Sequence, residues 1–167
     1  MKARVAATAL MLCAACTKEA TAPTTRVTLR RTSGSTFELV PSAGQPPFCL
    51  AFTVSRNGLT RQLTMSSSNT SFNCPAGQPV DARGYKVPLA DGPVKVYTLF
   101  TSAAVNAASI AQQILEAPDR QHLSAMNLRL PGNAVLDVSE FTPEVDQPAQ
   151  EGRVLSETAA PDAGSAP

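Results

Sequence analysis

The sequence predicts a mainly β fold, a small antiparallel β-sandwich or open barrel of about seven or eight short strands with one packed α-helix. Three observations carry that prediction. Apolar and polar residues alternate with a period of two in short runs separated by Gly, Pro, Asn and Ser. The dipeptide Asn57-Gly58 stands between two such runs, where a tight hairpin turn needs positive torsions. Fourteen prolines are spread along the chain, each removing a backbone donor, and only one stretch has the three-and-four spacing of a helix. Aromatic residues are 5% of the chain and Trp is absent, so Leu, Val, Ile and a few Phe must build the core.

Residues 1–15 stand outside this fold. Lys2 and Arg4 make a positive start, and residues 5–15 are uncharged and almost wholly apolar, long enough for the hydrophobic part of an export signal and too short to span a bilayer. The stretch closes on Leu12-Cys13-Ala14-Ala15-Cys16, with two small residues directly before a cysteine, and it resembles the bacterial lipoprotein signal peptide and its lipobox. That resemblance implies cleavage before Cys16, acylation of Cys16, and attachment to a membrane through several acyl chains, since one chain alone binds only reversibly. Cys13 is the poorer acceptor, because Leu12 puts bulk where the family has a small residue. Thr17 is not acidic, which in that family implies transport to the outer membrane, with the protein facing the periplasm. The plainer alternative is an ordinary secretory signal with Cys16 unmodified. Residues 16–25 have no apolar periodicity and read as a flexible tether.

The β domain is expected over residues 26–142. Alternation in residues 26–30 and 36–39, about Ser33-Gly34-Ser35, predicts two short strands and a turn. After a Gly- and Pro-rich loop, Phe48, Leu50, Phe52 and Val54 share one face of a strand, and Leu59, Arg61, Leu63 and Met65 one face of the next. A two-residue type I′ turn at Asn57-Gly58 sets Arg56 opposite Leu59, Phe52 opposite Leu63 and Leu50 opposite Met65, so the apolar faces coincide. Residues 70–74 are expected to return as a third strand. Residues 85–89 and 94–101 flank Asp91-Gly92-Pro93 and predict a second hairpin, whose second strand is apolar on both faces and therefore central. Asn106 suits a helix N-cap, Ala107, Ile110, Ala111, Ile114 and Leu115 form one stripe, and Pro118 follows the end. Residues 128–130 and 134–141 read as closing strands. Residues 143–167, rich in Pro, Ala, Gly and acid, are expected to be a disordered tail.

Cys49 and Cys74 are the cysteines left to the domain, and a pair of cysteines in an exported domain predicts a disulfide. A redox or metal role lacks its pattern, with no Cys-x-x-Cys spacing and no second ligand cluster. The lone histidine, His122, lies in a polar irregular stretch, and neighbouring Ser124 does not make a triad. Asp137 and Glu140, three apart on a strand, fall on opposite faces. Without a phosphate loop, a His-Glu-x-x-His or an acidic metal loop, no metal and no cofactor is expected. Asn69-Thr70-Ser71 fits a glycosylation acceptor in form and reads better as turn composition.

Five arginines, Arg26, Arg30, Arg31, Arg56 and Arg61, fall in the first half of the domain with little acid nearby except Glu38. One reading is a basic face, with Arg26, Arg30, Arg56 and Arg61 contacting an anionic partner such as lipopolysaccharide phosphate or an envelope protein. The plainer reading is solvated strand edges that discourage edge-to-edge pairing. A net charge of +1 by itself argues neither for nucleic acid nor for an acidic partner, while the expected export and the shortage of aromatic stacking surface argue against nucleic acid. The expected role is therefore a lipid-anchored envelope protein with a non-catalytic binding or structural β domain. Its rivals are a hydrolase or transferase with a dispersed site and a subunit of an outer-membrane complex.

Overall fold

Among the described residues, eight short strands and one α-helix make three layers of sheet, sheet and helix. The computed structural model describes residues 25–64, 66–130 and 132–146. The expected export signal, Cys16, most of the expected tether and residues 147–167 lie outside the described residues.

The strands are β1 (Val27–Arg31), β2 (Thr36–Pro41), β3 (Phe48–Ser55), β4 (Thr60–Gln62), β5 (Phe72–Asn73), β6 (Tyr85–Lys86), β7 (Val94–Thr101) and β8 (Val135–Phe141). One antiparallel sheet has the order β1-β2-β6; the other has β4-β3-β7-β8, with β5 also paired to β3. The sheets do not close into a barrel. Their inner faces enclose one core, in which Phe37 packs between Tyr85 and Phe141 at ring-centre distances of 6.2 and 4.6 Å. Leu39, Ala51, Val94, Val96 and Phe100 fill the rest. The outer face of the five-stranded sheet carries a second core, where Leu50, Phe52, Val54, Tyr97 and Leu99 meet helix α1 (Ala107–Glu116). Alternation on β3 and β7 thus divides each strand between two apolar layers, which is why both strands are buried on both faces.

The helix forms where its cap predicts. The Asn106 side chain accepts from the Ser109 N–H at 3.0 Å, and Ala107, Ile110 and Ile114 are buried against the sheet. Leu115 departs from the expected stripe and is about half exposed.

The β3–β4 turn corrects the expected register by one residue. Asn57 has negative φ and Gly58 has φ +80°, with Gly58 N–H donating to Ser55 O at 2.8 Å and Ser55 N–H to Leu59 O at 3.0 Å. This is a three-residue loop, a type I turn followed by a left-handed glycine, and not the two-residue I′ turn. Phe52 consequently faces Gln62, and Thr53 faces Arg61. The slip turns Leu63 to the inter-sheet core beside Ala51, while Leu59 stays on the surface. Beyond Leu63, whose N–H still donates to Ala51 O at 2.9 Å, a side chain replaces the ladder: Ala51 N–H donates to the buried Thr64 hydroxyl at 2.9 Å.

Three further expectations are corrected. Residues 85–89 do not pair with residues 94–101; β6 joins β2 in the other sheet, and the chain crosses between sheets through a turn at Leu89–Asp91. Gly92 there takes φ +61°, ψ −155°, a conformation open to glycine. Residues 128–130 form no strand, since Leu128 is drawn into the outer core and the Arg129 N–H donates to Gln113 Oε1 at 2.6 Å. The returning strand expected over residues 70–74 shrinks to β5. At the start of the expected tail, residues 143–146 lie against the β1–β2 turn, Glu144 N–H donating to Gly34 O at 2.8 Å and Asp146 Oδ1 accepting from Gly34 N–H at 2.6 Å.

Cys49 and Cys74 form a disulfide with a Cα–Cα distance of 5.8 Å, buried in the inter-sheet core. Cys74 follows β5, so the bridge fastens the loop after β4 to the middle of the larger sheet.

Candidate functional site

The arginines that looked like one basic face are dispersed, and most are neutralised inside the fold. Arg30 and Glu38 are directly opposite in the β1–β2 ladder and pair through Arg30 Nε at 2.8 Å. Arg31 lies over the Phe141 ring at 4.4 Å, donates to Thr142 O at 2.8 Å and faces Glu144 at 3.6 Å, closing the corner between β1 and β8. Arg26 bonds the Gln45 side chain at 3.2 Å. Arg61 holds Asp91 with two bonds, 2.6 and 3.0 Å. Arg56 alone of the five has no carboxylate or side-chain amide partner among the described residues; it sits in the β3–β4 turn beside cavities of about 130 and 350 Å³, with Lys95 and Arg120 on their walls.

The Arg61–Asp91 pair has an acid-side consequence. The Asp91 side chain is only 5% exposed, and the Arg61 guanidinium holds its carboxyl below the usual carboxylate range while burial works weakly the other way. Because the folded value lies below the unfolded one, the pair contributes stability at neutral pH that disappears as pH falls through the acid range below about 4. Urea midpoints measured from pH 7 to pH 3 are expected to fall less steeply for Asp91→Asn than for the parent chain; parallel curves would show that the pair has no such linkage.

A concave surface lies at the opposite corner from Arg31, where β4 ends one sheet and β6 ends the other. A cavity of about 340 Å³ opens between them, lined by Arg61 and Gln62 of β4, Tyr85 and Lys86 of β6, and the turn before β6. A second cavity of about 570 Å³, walled by Ser66, Ser67 and Phe72, shares Asp81 and Arg83 with the first, so the groove continues along the same edge past β5. The dividing turn is strained. Asp81 and Ala82 have φ of 55° and 48°, left-handed torsions that cost a non-glycine residue about 1 kcal/mol or more each. Buried Val80 anchors the turn, and the Tyr85 hydroxyl donates to Val80 O at 3.2 Å. Burial, aided by Asp81, pushes the Tyr85 hydroxyl up to about 12, so it keeps its proton for that bond. Gly84 completes the approach of β6 to β2: a Cβ there would stand 2.8 Å from the Thr36 methyl.

Register decides which backbone groups face this groove. Leu63 N–H donates to Ala51 O at 2.9 Å and Ser55 N–H to Leu59 O at 3.0 Å, so odd-numbered residues of β4 turn their backbone to β3 and Gln62 turns its own outward. Val87 N–H donates to Ser35 O at 2.9 Å, which likewise turns the Lys86 backbone away from β2. Two strand edges with unused donors and acceptors therefore look into one cavity.

Side chains suited to catalysis do not converge. His122 Nδ1 is 2.7 Å from Asp119 Oδ2, but the His122 side chain is 74% exposed and the Ser124 hydroxyl bonds Asn127 instead. The His122 contact holds the Asp119 carboxyl below its usual range without enclosing it. Asp137 and Glu140 face Thr98 and Lys95 on opposite sides of the sheet. A wider groove of about 480 Å³ beside α1 is lined by Gln112, Gln113, Asn127 and Arg129, whose polar groups largely bond one another or the backbone. Among the described residues no three His, Cys, Asp or Glu side chains gather as metal ligands, and no helix is long and apolar enough to cross a membrane.

Sequence reasoning had singled out Arg61 but missed Asp81, Arg83, Tyr85 and Lys86, because it assigned β6 to the wrong partner. No local pattern marks a groove made by the ends of two different sheets. No protein-family model matches the chain, and neither curated proteins nor solved structures give a significant match.

Proposed function

We propose that this chain is a lipid-anchored envelope protein, held at the outer membrane through acylated Cys16 and facing the periplasm, whose β-sandwich is a non-catalytic binding module. The observation that carries the reading is the buried Cys49–Cys74 disulfide, a bond that persists in oxidising compartments, in a chain whose residues 1–15 resemble a lipoprotein signal peptide with Ala14-Ala15 directly before Cys16. The open exposure of the His122–Asp119 pair, with the Ser124 hydroxyl bonded to Asn127, supports binding over hydrolysis or group transfer. Membership of an envelope complex is supported by the unpaired strand edges at the β4–β6 corner, which suit a protein partner better than a small metabolite.

The test is fractionation of cells producing the parent chain or Cys16→Ser. The parent is expected in detergent-soluble membranes, and Cys16→Ser in the soluble fraction or as uncleaved precursor. Unchanged, mature Cys16→Ser in the membrane fraction would sink the anchor.

A further inference from the structure

We infer that the open corner between β4 and β6 is a docking groove for an extended acidic peptide segment of a partner protein. The inference rests on the binding-module reading but not on the lipid anchor.

Two independent observations meet there. The first is the pair of unused edges. The outward N–H and C=O of Gln62 on one wall and of Lys86 on the other offer donors and acceptors to an inserted strand, which would join the two sheets as neither does alone. The second is charge. Lys86 is exposed and has no ion-pair partner among the described residues. Arg83 meets Asp81 through Nε at 3.2 Å, and Arg61 meets Asp91 through Nε and Nη2, so each guanidinium keeps N–H groups for a further carboxylate. Three cations thus stand against two carboxylates on the rim. Leu63 and Phe72, both partly buried, supply apolar contact below it.

An extended peptide with alternating acidic and apolar side chains satisfies all of these features. Its backbone bonds the edges, one face carries carboxylates to the rim, and the other lays apolar groups on the floor. A bare phosphate or a lipid headgroup would use the cations and leave the edges unmet.

The test measures fluorescence anisotropy of labelled heptapeptides with the purified full chain. Probes are a Glu/Val alternating peptide, the same peptide with alternate backbone nitrogens methylated, and its Lys/Val counterpart; anionic lipid vesicles form a separate arm. The Glu/Val peptide is expected to bind saturably. Backbone methylation is expected to weaken it at least about fivefold by removing edge hydrogen bonds. Lys86→Glu and Arg83→Glu, both at exposed positions, are expected to weaken it by a similar factor with an unchanged circular dichroism spectrum. The inference is overturned if the Glu/Val peptide does not bind, if methylation or both charge reversals leave binding unchanged, if the Lys/Val peptide binds equally, or if only vesicles bind. Cell fractionation of Cys16→Ser reports on the anchor separately, so the failure of one is distinguishable from failure of the other.

Discussion

Replacing Cys49 and Cys74 together by alanine is expected to lower the folding free energy by about 3 to 4 kcal/mol, a shift of the urea midpoint by about 1 to 3 M. The bridge closes a loop of 25 residues that contains β4 and β5, two of the shortest strands in the molecule. Without the link the unfolded chain regains that loop's freedom, and the native state keeps only a few ladder bonds to hold the segment. The core position of the bridge adds to the effect, since Cys49 is fully buried and alanine leaves unfilled space beside Ala51 and Phe100. The segment between the two cysteines also carries Gln62, so peptide binding should fall with stability. A midpoint change worth less than about 1 kcal/mol would mean that the packing around Leu63 and Phe72 holds the loop without the bond.

Phe37→Ala is expected to cost about 3 to 5 kcal/mol, the range for deleting a large aromatic side chain from a core. Phe37 is wholly buried, and its ring touches groups from three strands: its own β2, Tyr85 of β6 and Phe141 of β8. It therefore holds the smaller sheet to the larger one and also positions Tyr85, whose hydroxyl steadies the turn at Val80. Phe37→Leu keeps much of the apolar volume and is expected to cost less than half as much. Equal losses for Ala and Leu, measured by urea denaturation, would show that ring geometry matters more than volume. Such a loss is a large share of the 5 to 15 kcal/mol typical of a natural domain.

What could be read from the sequence was whatever depends on neighbours along the chain. Period-two alternation located β1, β2, β3 and β7, and apolar residues on both faces of residues 94–101 correctly placed β7 between two other strands. Asn106 marked the helix start because an N-cap is a local hydrogen bond. The cysteine pair was legible because Cys49 and Cys74 are the two cysteines left to the domain. Asn57-Gly58 shows the limit of local chemistry. The dipeptide fits a I′ turn, with both residues left-handed, and equally a type I turn with only Gly58 left-handed; the choice between them moved the register by one. Placement of β6 required knowing which sheet offered a free edge at Phe37, and that is a matter of the whole fold. The partners of the arginines were hidden for the same reason. Asp91 is thirty residues from Arg61 in sequence, and Glu144 lies in what looked like a tail, so the acids that neutralise the basic half were out of view.

The proposed function requires a chain exported and tethered through Cys16, and the fold locks it through Cys49 and Cys74. Mass spectrometry of the protein recovered from cell envelopes without reduction tests it most directly. The predicted result is an amino terminus at Cys16 bearing acyl groups, together with a Cys49–Cys74 linked peptide. An unmodified terminus, a start at another residue, or free thiols at both Cys49 and Cys74 would contradict it.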